Sequence, residues 1–311
     1  MNMKRRIIAL LTLVIMLFSM VGCSKEGLAL MKETYRVNAW EITDLATNVS
    51  LLVQAEGMKI GAKVEVTGWF NTKTLQGEME LSLKEIKMND EVIEEISFSP
   101  VKVFMDQQVV YISKTYFTEL FTSVGAPMLE EFNAIQADYI GFETATIVGT
   151  PQVDPKKAND LFMKLMDKAK VDVAVKQDKK NFTIEMNSDQ LVDATVALLI
   201  AAMDDIDAIN AIAPTGNTQE EIDKEKKEVQ AMLVDGKNEV KPMVSGSNLK
   251  VNYNFEDNKY TNGIDLNIQW TDGENKVTAQ MKMDGTFNKL DKKEFVLPKN
   301  AVILPMEEYM N

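Results

Sequence analysis

The 311-residue chain contains no histidine and only one cysteine, Cys23. The first absence removes the commonest general base and the commonest transition-metal ligand. With a single cysteine no disulfide can close within the chain, so a folded body must be held by its core alone. If that cysteine is modified, no thiol nucleophile is left. An enzyme built from this sequence would have to work with carboxylates, lysine, tyrosine or serine. Basic charge is also in short supply: 34 Lys and Arg stand against 47 Asp and Glu, a net charge of −13. A chain of that sign repels nucleic acid and anionic headgroups and favours cationic partners, including metal ions and basic peptides. There is no phosphate-binding glycine loop, no GxSxG elbow, no zinc-ligand spacing and no basic aromatic patch.

What is present begins at the N-terminus. Lys4, Arg5 and Arg6 precede an apolar run from Ile7 to Met20, too short for the roughly 20 residues of a membrane span. The pattern is that of a secretory signal over residues 1–22. Met20-Val21-Gly22-Cys23 then resembles the lipobox of bacterial lipoproteins, with Met where that motif usually has Leu. The resemblance implies a diacylglyceryl anchor on Cys23, cleavage before it, and a protein at the cell membrane on its extracytoplasmic face. Two acyl chains, at about 0.8 kcal/mol for each buried CH₂, suffice for stable attachment. Loss of the three basic residues in the signal takes the mature charge to −16 over 289 residues. Residues 23–27 would be the lipidated cysteine and a short tether, and 28–311 a single domain.

Leu28, Ala29, Met31 and Tyr35 suggest a short amphipathic helix. From Leu45 the period becomes two, through Val49, Leu51 and Val53, then Val64, Val66, Gly68 and Phe70, then Met79, Leu81 and Leu83. This predicts an antiparallel meander with one polar face. Strands are also expected over 92–99, 101–105, 109–112 and 139–147, with a helix from Thr115 to Val124. Asp154-Pro155 opens a helix bearing Leu161, Phe162, Leu165 and Met166. Val171, Val173 and Val175, a turn over 177–180, and Phe182, Ile184 and Met186 form a hairpin ahead of a helix opened by Ser188. The apolar stretch through Val196-Ala197-Leu198-Leu199-Ile200 reads as a buried helix, broken at Pro214-Thr215-Gly216-Asn217. Thr218 and Glu221 fit a capping box for a second, charged arm with a stripe of Ile222, Val229, Met232 and Leu233. The two arms make a helical hairpin over about 189–234. Strands resume at 249–255, 264–270 and 277–283, with turns expected at Asn262-Gly263, Asp272-Gly273 and Asp284-Gly285. Val296-Leu297-Pro298 and Val302 to Pro305 close the chain as edge pieces.

One-sided strands flanking helices predict an α+β fold, a strongly curved antiparallel β-sheet forming a half-barrel with helices packed on its concave face. With the lipobox, this element order resembles the LolA/LolB and LppX/LprG type of envelope lipoproteins. That resemblance implies a cavity for acyl chains. The inward residues that would line it are Phe70, Met79, Leu81, Leu199, Ile200, Met203, Tyr253, Phe255, Met281 and Met283; ordinary core packing would use the same residues. Sixteen methionines follow the signal, and flexible thioethers suit adaptable apolar surfaces. Asp204, Asp205 and Asp207, or Glu220, Glu221 and Asp223, offer oxygen ligands for Ca²⁺ but lack EF-hand spacing, and a solvated face is the simpler reading. The expectation is a non-catalytic lipoprotein, without cofactor or metal, that binds an apolar ligand such as a lipid. The alternative is an envelope scaffold with a filled core whose acidic surface meets a cationic protein.

Overall fold

The computed structural model describes residues 25–93, 98–107, 109–123, 134–143, 161, 164–165, 168–169, 173–205, 219–273 and 275–304. The signal segment, Cys23, residues 94–97 of the strand expected over 92–99, the end of the strand expected over 139–147, most of the helix expected after Asp154-Pro155, Val171, Asp207, the break at 214–217, Thr218 and Pro305 lie outside these residues. The side chains of 220–223 lie outside them too.

Among the described residues the fold is α+β, with a predominantly antiparallel sheet of thirteen strands. In chain order the elements are α1 (Lys25–Asn38), β1 (Ile42–Ala55), β2 (Met58–Asn71), β3 (Gln76–Met88), β4 (Glu91–Val92), β5 (Val101–Asp106), β6 (Val109–Ser113), α2 (Lys114–Ser123), β7 (Tyr139–Glu143), β8 (Val175–Asp178), β9 (Asn181–Asn187), α3 (Ser188–Asp204), α4 (Gln219–Met243), β10 (Asn248–Phe255), β11 (Lys259–Asp272), β12 (Asn275–Leu290) and β13 (Ala301–Ile303). The sheet order is β13-β7-β6-β5-β3-β2-β1-β12-β11-β10-β9-β8, with β4 paired to β3 off this path. Contacts gather into two compact units, residues 1–35, 151–253 and 264–278 in one and 36–150, 254–263 and 279–311 in the other. Their boundaries fall inside α1, β10, β11 and β12.

In the first unit the core is made by α3 and the strands β8 to β11. Leu191, Ala194, Leu198 and Ala201 recur at helical spacing and are buried with Phe182, Ile184, Met186, Leu249, Val251, Ile264 and Leu266. Full burial of one such side chain contributes about 1.5–3 kcal/mol before entropy is counted. The helix starts where expected, but its cap is Asn187: the Asn187 carboxamide accepts from Gln190 N at 3.0 Å and the Asn187 N–H donates to Gln190 Oε1 at 3.0 Å, a reciprocal box. The partner arm α4 packs against α3 and runs to Met243, beyond the expected end near 234. Pro242 sits in its last turn, and the chain leaves through Gly246 at φ +89°. A Cβ there would lie 2.9 Å from Gln269 Oε1, so both backbone angle and space call for glycine. Met232, expected on the apolar stripe of this arm, is exposed.

In the second unit β1, β2 and β3 form the expected meander, with β5, β6 and β7 continuing the antiparallel pairing. β1 turns into β2 through Glu56 and Gly57, both at positive φ (46° and 80°), the two-residue hairpin geometry whose twist matches the strands. Asn71 Oδ1 accepts from the N–H groups of Lys73 and Thr74 and closes the next turn. β13 pairs with β7 in parallel, an edge piece as expected, whereas residues 296–298 form no strand. A small cluster of Ile140, Phe142 and Leu304 is packed by Ile112, Phe117 and Ile135. Tyr260 stacks on Phe287 (centroids 4.4 Å apart, 4° between planes) and on Phe255, with Trp40 tilted against it. The Arg36 guanidinium donates to the carbonyls of Glu256 and Asp257 at 2.7 and 2.8 Å, closing the turn before β11.

Two of the three expected turns are overturned. Asn262-Gly263 lies inside β11 and Asp284-Gly285 inside β12; only Asp272-Gly273, with Gly273 at φ +62°, is a turn. Gly285 serves close approach: a Cβ on it would stand 2.4 Å from Asn262 Oδ1 and 2.7 Å from the Phe287 ring.

Candidate functional site

In an antiparallel pair, residues directly opposite share a face. The register of β1 to β3 and β5 therefore places the apolar residues of the meander in rows on one side of the sheet. From the hairpin ends inward the rows include Val53, Ile60 and Met88; then Leu51, Ala62 and Ile86; then Val49, Val64 and Leu83; then Val66, Leu81 and Val101; then Leu45, Gly68, Met79 and Val103; and then Phe70, Gly77 and Met105. Six rows two residues apart span about 33 Å at the usual rise along a strand. The polar members in β1 are Thr43 and Thr47, and the described residues of β1, β2, β3 and β5 put no charged side chain in these rows; at the hairpin end Glu91 of β4 stands opposite Met88. An irregularity after Lys63 keeps the alternation in phase: Lys63 faces Glu85 and Val64 faces Leu83, leaving Lys84 over. The reverse face carries the charges there. Lys63 and Lys87 both reach Glu85 at 3.1 Å, and hydrogen bonds from these two lysines hold the Glu85 carboxyl below its ordinary range.

The apolar face is neither a filled core nor a wetted surface. Phe70, Met79, Leu81, Val64, Val66, Val101 and Val103 are all half-buried. At the hairpin ends Leu51, Val53, Met58, Ile60 and Met88 are 41–50 % exposed. Two glycines let the strands approach beneath it. Gly68, at φ +154°, would put a Cβ 2.2 Å from Glu78 O, and Gly77 would put one 2.9 Å from the Phe70 ring, which lies across it.

The ten residues expected to line a cavity fall as follows. Phe70, Met79 and Leu81 come together on this face. Met281 and Met283 are half-buried on β12, alternating with exposed Lys282 and Asp284. Phe255 is 3 % exposed and part of the Tyr260 aromatic stack, a core position. In the other unit Leu199, Ile200 and Met203 are half-buried on α3, outside its fully buried stripe. Tyr253 is half-buried, and burial pushes its hydroxyl up to about 12. Cys23 is outside the described residues. Sequence reasoning missed the hairpin ends: Met58 and Ile60 extend β2 six residues before Val64, beyond a Glu56-Gly57 turn whose glutamate gives no turn signal.

The acidic residues at the end of α3 are engaged by lysines rather than gathered for a cation. Asp204 accepts from Gln230 at 2.7 Å and lies 3.5 Å from Lys168, and Asp205 meets Lys164 at 2.9 Å. The Gln230 hydrogen bond is the main cause that holds the Asp204 carboxyl low, and the Lys164 hydrogen bond does so for Asp205. For Asp193 burial alone would raise the carboxyl, and hydrogen bonds from Lys237 and Lys241, at 2.7 and 2.8 Å, outweigh it and hold it low. Among the described residues no group of three or more Cys, Asp or Glu side chains is placed to hold a metal ion. A polar surface cleft of about 350 Å³ lies at the start of α2, lined by Lys114, Thr115, Thr118, Ile135, Gln136, Ala137 and Asp138, and contains none of the expected lining residues. No helix among the described residues is long and apolar enough to cross a membrane. No protein-family model matches the sequence, and no curated protein matches it either.

Proposed function

We propose that this chain is a lipoprotein, anchored at the extracytoplasmic face of the cell membrane through a diacylglyceryl group on Cys23, that binds an apolar ligand, a lipid or acyl chain, without catalysing a reaction. The observation that supports this reading best is the half-buried, charge-free face of β1, β2, β3 and β5. Large contiguous apolar surface on a soluble body marks a binding site more often than leftover surface. A face about 33 Å long suits an extended chain better than a compact polar metabolite. Phe70, Met79 and Leu81 would touch the ligand, and the thioether of Met79 would adapt to its shape. The mature charge of −16 disfavours binding through anionic headgroups, so the apolar part of the ligand would carry recognition.

Organic extraction of the soluble Ser24–Asn311 chain followed by mass spectrometry tests the ligand. Stoichiometric lipid supports the reading, and its loss in Leu81→Gln locates it. A lipid-free protein that takes up no acyl probe refutes it and leaves the scaffold alternative, an acidic surface meeting a cationic protein. Cys23→Ser separately tests the anchor: the protein should leave the membrane fraction, and undiminished membrane association would end the lipobox reading.

A further inference from the structure

The hairpin end of the apolar face carries two thioethers that ligand binding does not require. Met58 and Met88 are 50 % and 44 % exposed, whereas Met79 and Met105 further along the same face are half-buried and Met186 is buried. Met88 stands opposite Ile60 and Met58 opposite Ala55, so the two lie on one face of neighbouring strands, diagonal to each other at roughly 7–8 Å between Cα atoms. Their neighbours on that face are aliphatic Leu51, Val53 and Ile60, with Glu91 of β4 opposite Met88, and none of these reacts with mild oxidants. With one cysteine in the chain, thioethers are the main sulfurs open to two-electron oxidation.

We propose that Met58 and Met88 form an oxidant-sensitive pair, and that their conversion to sulfoxides turns the hairpin end of the face from apolar to polar. With a peroxide as oxidant, a sulfur lone pair attacks one peroxide oxygen, the O–O bond breaks and the S–O bond forms. The departing oxygen takes up the proton and leaves as water, so that sulfur is oxidised and peroxide reduced. The product is a flexible apolar side chain made polar and chiral, a change that sulfoxide reductases reverse. The inference does not depend on which apolar molecule the face binds.

The test is a hydrogen peroxide series on the full chain, read by peptide mass spectrometry. Met232, 58 % exposed on α4, serves as the exposed standard and Met186 as the buried one. Met58 and Met88 should oxidise within about threefold of Met232 and at least about tenfold faster than Met186. Fluorescence of an environment-sensitive apolar dye should fall on oxidation of the native chain, return after sulfoxide reduction, and stay unchanged in Met58→Leu/Met88→Leu. Protection of Met58 and Met88 to the level of Met186 while Met232 reacts would overturn the proposal. Equal loss of dye binding in the double leucine variant would overturn it as well.

Discussion

Gly285→Ala isolates the difference between a glycine that makes a turn and a glycine that makes room. Position 285 lies inside β12 at ordinary strand angles, so the added methyl meets no backbone objection. It meets atoms: Asn262 Oδ1 at 2.4 Å and the Phe287 ring at 2.7 and 3.1 Å. Asn262 Oδ1 is buried without a hydrogen-bond partner, so that carboxamide has little to lose by rotating away. Phe287 cannot yield so freely, because its ring is stacked on Tyr260 at 4.4 Å, and disturbing such a pair costs about 0.5–1.5 kcal/mol. Overpacking of this kind costs about 1–3 kcal/mol, and the geometry points to the middle of that range, about 2 kcal/mol. At a urea slope near 2 kcal/mol/M this lowers the unfolding midpoint by roughly 1 M. Tryptophan fluorescence reads the change locally, since Trp40 lies 5.8 Å from Tyr260. In a Phe287→Ala background the obstacle that resists is gone, and the cost of Gly285→Ala should fall by about 1 kcal/mol. An unchanged midpoint in the single variant, or the same cost in both backgrounds, would show that the close approach is not what holds glycine there.

Leu198→Ala removes a 5 % exposed side chain from the centre of α3; it should cost about 2–5 kcal/mol, measured by denaturant unfolding. Raising the pH tests Tyr253. Its folded hydroxyl is held up at about 12, so its contribution is intact below the ordinary value near 10 and is lost as the pH climbs from about 10 to 12. That change is about 2–3 kcal/mol, and Tyr253→Phe should flatten this limb of the stability profile. At the other extreme, Asp193 is held below its ordinary 3.8, so its contribution is present above that value and disappears as the pH drops below it. Because the pair is partly exposed, Asp193→Asn should cost under about 1 kcal/mol at neutral pH, and it should reduce the slope of stability on pH below about 4.

The face that carries the proposed site could be read from the sequence because it depends on alternation: Val64, Val66 and Phe70 against Met79, Leu81 and Leu83 fix which side chains stand together. What covers a strand face is not a local property. Phe255 and Phe70 follow the same rule of alternation, yet one is locked into an aromatic stack and the other lies half-covered over Gly77. The turn dipeptides failed for a related reason. Asn-Gly and Asp-Gly favour a reversal when nothing else acts on them, but at 262–263 and 284–285 the pairing of long neighbouring strands outweighs that preference. The Glu56-Gly57 turn was the reverse case, a glutamate held at positive φ that residue preference does not announce. Arg36 left no sequence signal at all, since its two carbonyl partners lie more than 200 positions away.

The strand order has a kinetic side. The two meanders, β1 to β3 and β10 to β12, can each close through short connections, but the seam between them joins β1 to β12, segments some 220 residues apart in the chain. Pairings of such long sequence separation form slowly. While the polypeptide is being made, the first meander must wait with one backbone edge of β1 unpaired until the last third has emerged. An open edge of that length is a template for pairing with a neighbouring chain. The seam thus makes the interval between synthesis of β1 and arrival of β12 the period in which this protein is most exposed to aggregation.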